Sequence, residues 1–298
     1  MINPKKTNCF ICGGSFAAPV AGSAYAQCRA CDHEVLLQSS ETGAVDNEAL
    51  SELNITKMDR LDRFKHSVLT SLIKVGKNQS LLDIGCGSGK FLAQSQLMLE
   101  QAVGIEVSPA SLEYARQELG LLVIENIDDC ELSPDIVTAW HSFEHIPSSA
   151  LEYLLETLKE RMPPEGVILV SVPNNSSYQA LLYGSHFAFS DIPNHLHQFS
   201  PKSLNLMMQS YDFIPETRFF STPYSVFGWI QGALNTLTRS HNYLYYRLKR
   251  DSITRSMRMD IIHVFLAILI SPFALLATAV ESLNKDKQGV MTICYRKP

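Results

Sequence analysis

Apolar residues recur at three- and four-residue steps from about Asp46 to Val75, at Leu50, Leu53, Leu61, Phe64, Val68, Leu69 and Leu72, and the spacing predicts a helix. From Ser80 to Ser221 short apolar runs alternate with helical patterns. Leu81–Ile84, Val103–Ile105, Leu122–Ile124, Asp135–Trp140 and Phe213–Ser221 read as strands, and the alternation predicts a parallel sheet covered by helices on both faces. Gly289–Tyr295 reads as one more strand. Before it, Ile261–Val280 is apolar, broken only by His263, Ser271, Pro272 and Thr278.

The pattern divides the chain into residues 1–38 with paired cysteines, a linker and helix over 39–75, a core over 76–221, a helical insertion over 222–287 and a final strand over 288–298. Ser39–Gly43 has the polar composition of a linker. With 298 residues, 46% of them hydrophobic and 18% charged, the chain can bury a sizeable core, and wholesale disorder is excluded. The net charge of −5 argues against a protein held to nucleic acid by bulk charge. The seven cysteines, an odd number with two Cys-x-x-Cys pairs, do not form a secreted disulfide framework. No apolar run follows Lys5 and Lys6, so no signal peptide is expected and the amino end is expected in the cytoplasm.

Gly85-Cys86-Gly87-Ser88-Gly89 follows the first core strand, and Lys90 opens a helix. Glycines here let the backbone turn sharply and let a ligand approach the main chain. A dinucleotide fingerprint would need glycine where Lys90 stands, and no P-loop pattern is present. Asp83, two residues before the turn, would repel a pyrophosphate and welcome a cationic amino group. Glu106, ending the next strand, can accept both hydroxyls of a ribose. Ser108-Pro109 reads as a helix cap and first-turn proline. This order suits an adenosine with a cationic amino-acid tail, as in S-adenosylmethionine (SAM).

The runs LLDIGCGSGKFL, GIEVSP, DIVTAWHSFEHIP and GVILVSVPN, in that order, resemble the class I SAM-dependent methyltransferases over about residues 65–221 and the last strand. The resemblance implies an α/β, doubly wound, seven-stranded Rossmann-like sheet with an antiparallel last strand. It places the cofactor at the carboxyl ends of the first and fourth core strands. It sets Asp83, Gly85 and Gly87 against the methionine portion, with Cys86 and Gly89 in the same turn. Glu106 and its neighbour Val107 fall at the ribose. Asn126, Ile127 or Asp128 borders the adenine, and Trp140 and His141 close the cofactor site.

His141, Glu144 and His145 follow the fourth core strand, and His195 and His197 stand in the later run DIPNHLHQFSPKSL. Methyl transfer to oxygen or nitrogen needs a positioned acceptor and often removal of its proton, which a histidine can perform. One reading makes His141, His195 or His197 the general base. A second joins His141, Glu144, His145 and one of the later histidines in a divalent-metal site. That site resembles the E-x-x-E-H arrangement of metal-dependent RNA 2′-O-methyltransferases and some ubiquinone O-methyltransferases, with His141 in place of the first carboxylate and hence a softer ion than magnesium. A third reading has Glu144 and His145 only ordering the loop.

Cys9, Cys12, Cys28 and Cys31 have the spacing of a four-cysteine zinc ribbon, with Gly13-Gly14 allowing a tight knuckle. Such a closed site is structural. Ile261–Val280 is just long enough to cross a bilayer, yet the strands on either side must pair in one sheet. Basic residues also flank both ends: Arg239, Arg247, Lys249, Arg250, Arg255 and Arg258 before it, and Lys285, Lys287, Arg296 and Lys297 after it. The expectation is a helix in the membrane interface, or a re-entrant hairpin with Tyr224–Leu237 and its Phe227 and Trp229. A helix docked on the domain and a dimer contact are the alternatives.

Together these readings describe a methyltransferase peripheral on the cytoplasmic face of a membrane, acting on a small or lipid-linked acceptor: a sugar, a polysaccharide precursor or a quinone precursor. DIPNHLHQFSPKSL most resembles relatives acting on sugars and surface polysaccharides. An RNA 2′-O-methyltransferase and a non-catalytic SAM-binding scaffold are the rivals.

Overall fold

The computed structural model describes residues 8–18, 23–37, 59–74, 78–249 and 256–298. Ser39–Gly43, Leu50, Leu53, Arg250 and Arg255 lie outside the described residues. Strands β1 (Tyr25–Gln27) and β2 (Glu34–Leu36) precede helix α1 (Arg60–Leu72). There follow β3 (Ser80–Ile84), α2 (Lys90–Ser95), β4 (Gln101–Ile105), α3 (Pro109–Gln117), β5 (Val123–Ile124), β6 (Ile136–Trp140), α4 (Ser148–Arg161), β7 (Val167–Pro173) and α5 (Tyr178–Tyr183). The chain continues through β8 (His197–Gln198), α6 (Pro201–Ser210), β9 (Ile214–Phe219), α7 (Thr222–Thr238), α8 (Tyr243–Lys249), α9 (Met257–Ser282) and β10 (Val290–Arg296).

Seven strands form one sheet in the order β5-β4-β3-β6-β7-β10-β9, with β10 antiparallel to both neighbours. The doubly wound sheet expected from the sequence is therefore present. Side chains alternate across it. Leu82, Ile84, Val137, Ala139, Ile168 and Val170 pack under α4 and α6 with Leu151, Leu155, Leu204 and Met207. Leu81, Ile136, Leu169 and Cys294 pack on the other face with Val68 and Leu69 of α1, Leu92 of α2 and Leu112 and Ala115 of α3. Asp83, Thr138 and Trp140 share this second face by register. β4 and β5 wind outward from β3 on one side and β6 and β7 on the other, so the order reverses between β3 and β6. That crevice is where ligands bind in such sheets.

Two local expectations are corrected. The apolar spacing carried one helix from Asp46, but α1 is capped at its start at Arg60, and residues 46–58 lie outside the described residues: Asp59 accepts from the Leu61 and Asp62 amides at 2.7 and 2.8 Å, and Asp62 reaches back to the Asp59 amide at 2.9 Å. Ser108 does precede α3, yet its side chain makes no capping bond. Glu106 Oε1 accepts from the Val107 and Ser108 amides just before the helix, each at 2.8 Å.

The ribbon strands β1 and β2 pair antiparallel, and β2 pairs in turn with β8, so the ribbon shares a three-stranded sheet with a segment of the core. The insertion leaves after β9 and returns to β10, its neighbour in the sheet, as expected. Helices α7 and α9 lie against each other, and buried Glu281 fastens them: it accepts from Trp229 Nε1 (2.5 Å), Ser225 Oγ (2.8 Å), Gln179 Nε2 (2.9 Å) and the Gly289 amide. Trp229 is thus buried and hydrogen-bonded, because an internal carboxylate needs its N–H.

α9 is inverted relative to a surface helix of a water-soluble domain. Its buried positions are His263, Ala274, Thr278 and Glu281. Its exposed face carries Ile261, Val264, Phe265, Ile268, Leu269, Phe273, Leu276 and Val280. The small and polar residues turn inward and the large apolar ones outward, the reverse of the usual partition.

Candidate active site

The turn after β3 is built on left-handed backbone: φ is +69° at Gly85, +56° at Gly87 and +82° at Gly89. The Gly85 and Cys86 amides donate to the Ile105 carbonyl at 2.8 and 3.0 Å, which hangs the turn from the end of β4. A Cβ on Gly85 would lie 2.6 Å from Ser142 Cβ, so only glycine lets the turn come this close to the loop after β6. Gly87 N–H donates to Glu106 Oε2 at 2.7 Å. At the other end Asp83, 2% exposed, accepts from Thr138 Oγ1 at 2.6 Å. Burial pushes the Asp83 pKa up to about 6, only partly opposed by the Thr138 hydroxyl and the Lys65 charge.

The other residues assigned to the cofactor fall as follows. Cys86 turns its sulfur toward Gly104 and Leu92, into the core. Val107 is exposed and Ile127 is buried in the core. Asn126 caps a short 3-10 turn by accepting from the Asp128 amide at 3.3 Å. The Asp128 carboxylate accepts from Tyr153 Oη at 2.6 Å. Trp140 meets Phe64 and Phe91 edge-on, with the Lys65 ammonium 5.3 Å above its ring.

His141 also has a left-handed backbone, φ +54°, fixed by its amide bond to the Ser171 carbonyl at 2.8 Å. Its Nδ1 lies 3.3 Å from Glu144 Oε1. Tyr224 of α7 stands edge-on to the His141 ring at 4.9 Å, and Phe189 stacks beside it at 6.4 Å. Glu144 is 1% exposed. Burial pushes its pKa up, but the His141 bond and the charges of His141, His145 and His195 outweigh this and hold it at about 2.

His145 Nδ1 donates to the Asn194 carbonyl at 3.0 Å, which leaves Nε2 turned away from that bond. The His195 ring stands 4.7 Å away, and burial lowers its pKa to about 4. One ligand atom from each of Glu144, His145 and His195 lies within 4.8 Å of the others. Trp140 Nε1, His141 Nε2, Ser142 Oγ, both Glu144 oxygens and His195 Nδ1 are buried without a hydrogen-bond partner, Oε1 of Glu144 keeping only its ion-pair contact with His141. Orphaned polar atoms concentrated in one loop mark a place built for a ligand.

His197 does not join this cluster. Its Nε2 donates to the Ile146 carbonyl at 3.0 Å and its Nδ1 meets His33 Nε2 at 3.2 Å. Burial lowers its pKa to about 3, so the ring is neutral and both nitrogens are occupied.

In the ribbon, Cys9 and Cys31 sulfurs are 3.6 Å apart and Cys12 and Cys28 sulfurs 3.5 Å apart, and all four fall within 4.8 Å of one another. None of the four is in a disulfide. Four thiolates at ~2.3 Å from a tetrahedral ion sit roughly 3.8 Å apart, so the set fits a metal. A Cβ on Gly14 would come within 3.2 Å of the Cys12 and Cys28 sulfurs, which explains the glycine.

Sequence reasoning missed Lys65, Phe189 and His33 because each reaches its place by tertiary packing. His33, two residues past Cys31, carried a weak local signal in its nearness to the ribbon.

The model of a methyltransferase domain matches residues 56–216, more than half the chain. The chain belongs to the methyltransferase domain family. A ubiquinone biosynthesis O-methyltransferase from Actinobacillus pleuropneumoniae is 25% identical over 138 residues, covering 41% of this chain and 58% of the relative. A trans-aconitate 2-methyltransferase from Methylobacterium radiotolerans is 33% identical over 100 residues, 32% of this chain and 38% of the relative. The chain thus spans 58% of the length of the first of these curated relatives and 38% of the second. Among solved structures, a protein assigned as a sarcosine dimethylglycine methyltransferase from Galdieria sulphuraria matches with a TM-score of 0.50 and 13% identity, covering 80% of this chain and 85% of that one. It shares the fold.

Asp83 provides a pH signature. Its folded pKa of about 6 lies above the ordinary carboxylate value of 3.8, so the folded chain holds a proton that the unfolded chain has released. The resulting stabilisation is complete below about pH 4 and lost as pH rises past about 6. Asp83→Asn abolishes this dependence, so the variant is expected to gain about 1–3 kcal/mol on the wild type between pH 4 and 7. Urea denaturation across that range measures the gap; a constant gap contradicts the assignment.

Proposed function

We propose that the chain is a SAM-dependent methyltransferase. The observation that carries this is the glycine turn held between two carboxylates, Asp83 and Glu106, directly beside the His141–Glu144 pair. When bound, SAM supplies a methyl group activated by a sulfonium. Asp83 would hold its ammonium group, which draws the buried carboxyl back to its charged form. Glu106 would meet the ribose through Oε2, which accepts only the Gly87 amide and keeps a further lone pair, whereas Oε1 already accepts two amides. Trp140 and the Gly85–Gly89 backbone would flank the rest.

Glu144 holds Nδ1 of His141 as the protonated nitrogen, which leaves Nε2 as a base for a hydroxyl or amine acceptor. Tyr224 and Phe189 form an apolar wall around that nitrogen and restrict water. A second reading draws on the convergence of Glu144, His145 and His195: these side chains would hold a divalent cation that orients the acceptor. The four cysteines would hold a structural Zn²⁺.

The acceptor is a small or lipid-linked molecule, a sugar, polysaccharide precursor or quinone precursor. The relatives named for ubiquinone biosynthesis and trans-aconitate favour a small acceptor over RNA, as does the net charge of −5. The inverted face of α9 supports a peripheral site on a membrane, facing the cytoplasm. Its apolar side chains would enter the interface while β9 and β10 keep both ends of the insertion on one side.

With labelled SAM and a membrane-lipid extract as acceptor source, His141→Ala and Glu144→Gln are expected to lower transfer by about 10²–10⁴-fold with little change in SAM affinity. Unchanged transfer in both removes the base from the mechanism. If metal chelation, with ribbon zinc retained, matches the loss, the cation reading gains instead. For the membrane, the combined change Phe265→Ser, Ile268→Ser and Phe273→Ser is expected to abolish flotation with anionic phospholipid vesicles. Flotation equal to wild type contradicts the lipid contact.

A further inference from the structure

The segment that delivers His195 to the site is held from two sides. On the site's side, the Leu196 amide donates to the Glu144 carbonyl at 2.8 Å. On the ribbon's side, the Leu36 amide donates to the Leu196 carbonyl at 3.0 Å, and β2 pairs with β8 in the register Glu34↔Gln198, Val35↔His197. Tyr25 Oη donates to the His195 carbonyl at 3.0 Å. One residue, Leu196, therefore bridges the ribbon and the buried glutamate through its two backbone groups.

The side chains repeat this linkage. His197 donates from Nε2 to the Ile146 carbonyl, so its neutral ring accepts at Nδ1 from His33 Nε2, 3.2 Å away. His33 Nδ1 lies 3.7 Å from Cys9 Sγ. Phe10 and Phe199 enclose the two imidazoles, with ring centroids 5.2 to 5.8 Å away. The path runs from a cysteine of the ribbon, through two histidines, to the residue that follows His145. β8 itself is only two residues long, and β1 and β2 three each, too little to persist without a partner. A ribbon of this size keeps its shape through its metal.

We propose that the ribbon is a positioning device for the acceptor side of the active site. Its metal-held fold fixes β2 and His33; these fix the segment from His195 to Phe199; and that segment sets His195 against Glu144 and His145. His33 and His197 are positioning residues and touch no reacting atom. The proposal rests on the zinc reading of the cysteines and on the methyltransferase reading of the site. Cofactor binding is independent of it, because Asp83, the glycine turn and Glu106 are anchored on β3, β4 and Thr138.

The test uses the full chain in four forms: zinc-loaded, zinc-stripped, zinc-loaded His33→Ala and zinc-loaded His33→Gln. Hydrogen exchange of residues 195–199, the imidazole nitrogen resonances of His145 and His195, and SAM affinity are measured in each. Stripping and His33→Ala are expected to speed exchange of the segment by about tenfold or more, the sign of a local opening. They are expected to displace both imidazole signals while SAM affinity stays within about twofold, less than 0.5 kcal/mol. His33→Gln, which keeps an N–H donor toward His197, restores the wild-type pattern. Protection of 195–199 and unmoved resonances in the stripped and Ala forms overturn the proposal. So does loss of SAM affinity alongside them, since the ribbon would then support the whole domain. Absence of zinc in the purified chain refutes the zinc reading alone, and the His33 variants still decide. Absence of SAM binding in every form refutes the methyltransferase reading, and the exchange data still decide.

Discussion

The approach of Gly85 to Ser142 is the contact on which the site depends. β3 and β6 are hydrogen-bonded neighbours whose chains diverge at their carboxyl ends, and any side chain on Gly85 would force the two loops apart. With glycine there, the turn that faces a cofactor and the loop that carries His141 and Glu144 share one crevice. On the proposed mechanism, the donor's position and the acceptor's base would both be set by this single backbone geometry.

The two appendages each join this crevice from a different direction. The ribbon reaches it through β2, β8 and His195. The helical insertion reaches it through Tyr224 of α7, which stands against His141, while α9 turns its apolar face outward. Glu281 couples that apolar helix to the core by accepting from α5, α7 and the residue before β10. A carboxylate buried in such a helix is costly unless every donor around it is in place, and here four are. A helix that turns its large apolar side chains outward is thus held in register with the rest of the domain on its other face.

Much of this was legible in the sequence because it is local. The glycine turn, Asp83 and Glu106 lie within one strand-turn-helix-strand unit, where spacing alone fixes their relation. His141, Glu144 and His145 occupy one loop for the same reason. His195 and His197 looked equivalent, and only the pairing of β2 separates them, a contact between residues 164 apart at His33 and His197. The burial of Trp229 was not legible because its partner Glu281 lies 52 residues away. Phe189, Lys65 and Tyr224 gained their roles in the same way, by packing across the fold. The inversion of α9 needed the structure, since an apolar run does not say which side of a helix is covered.

Calorimetric titration of SAM and S-adenosylhomocysteine into the folded chain and its Asp83→Asn variant tests the central claim most directly. A single saturable site in the wild type, weakened about tenfold or more for SAM in the variant, is the result the geometry predicts. No heat with either nucleotide, or equal affinity in both chains, would contradict a cofactor seated on the Gly85–Gly89 turn.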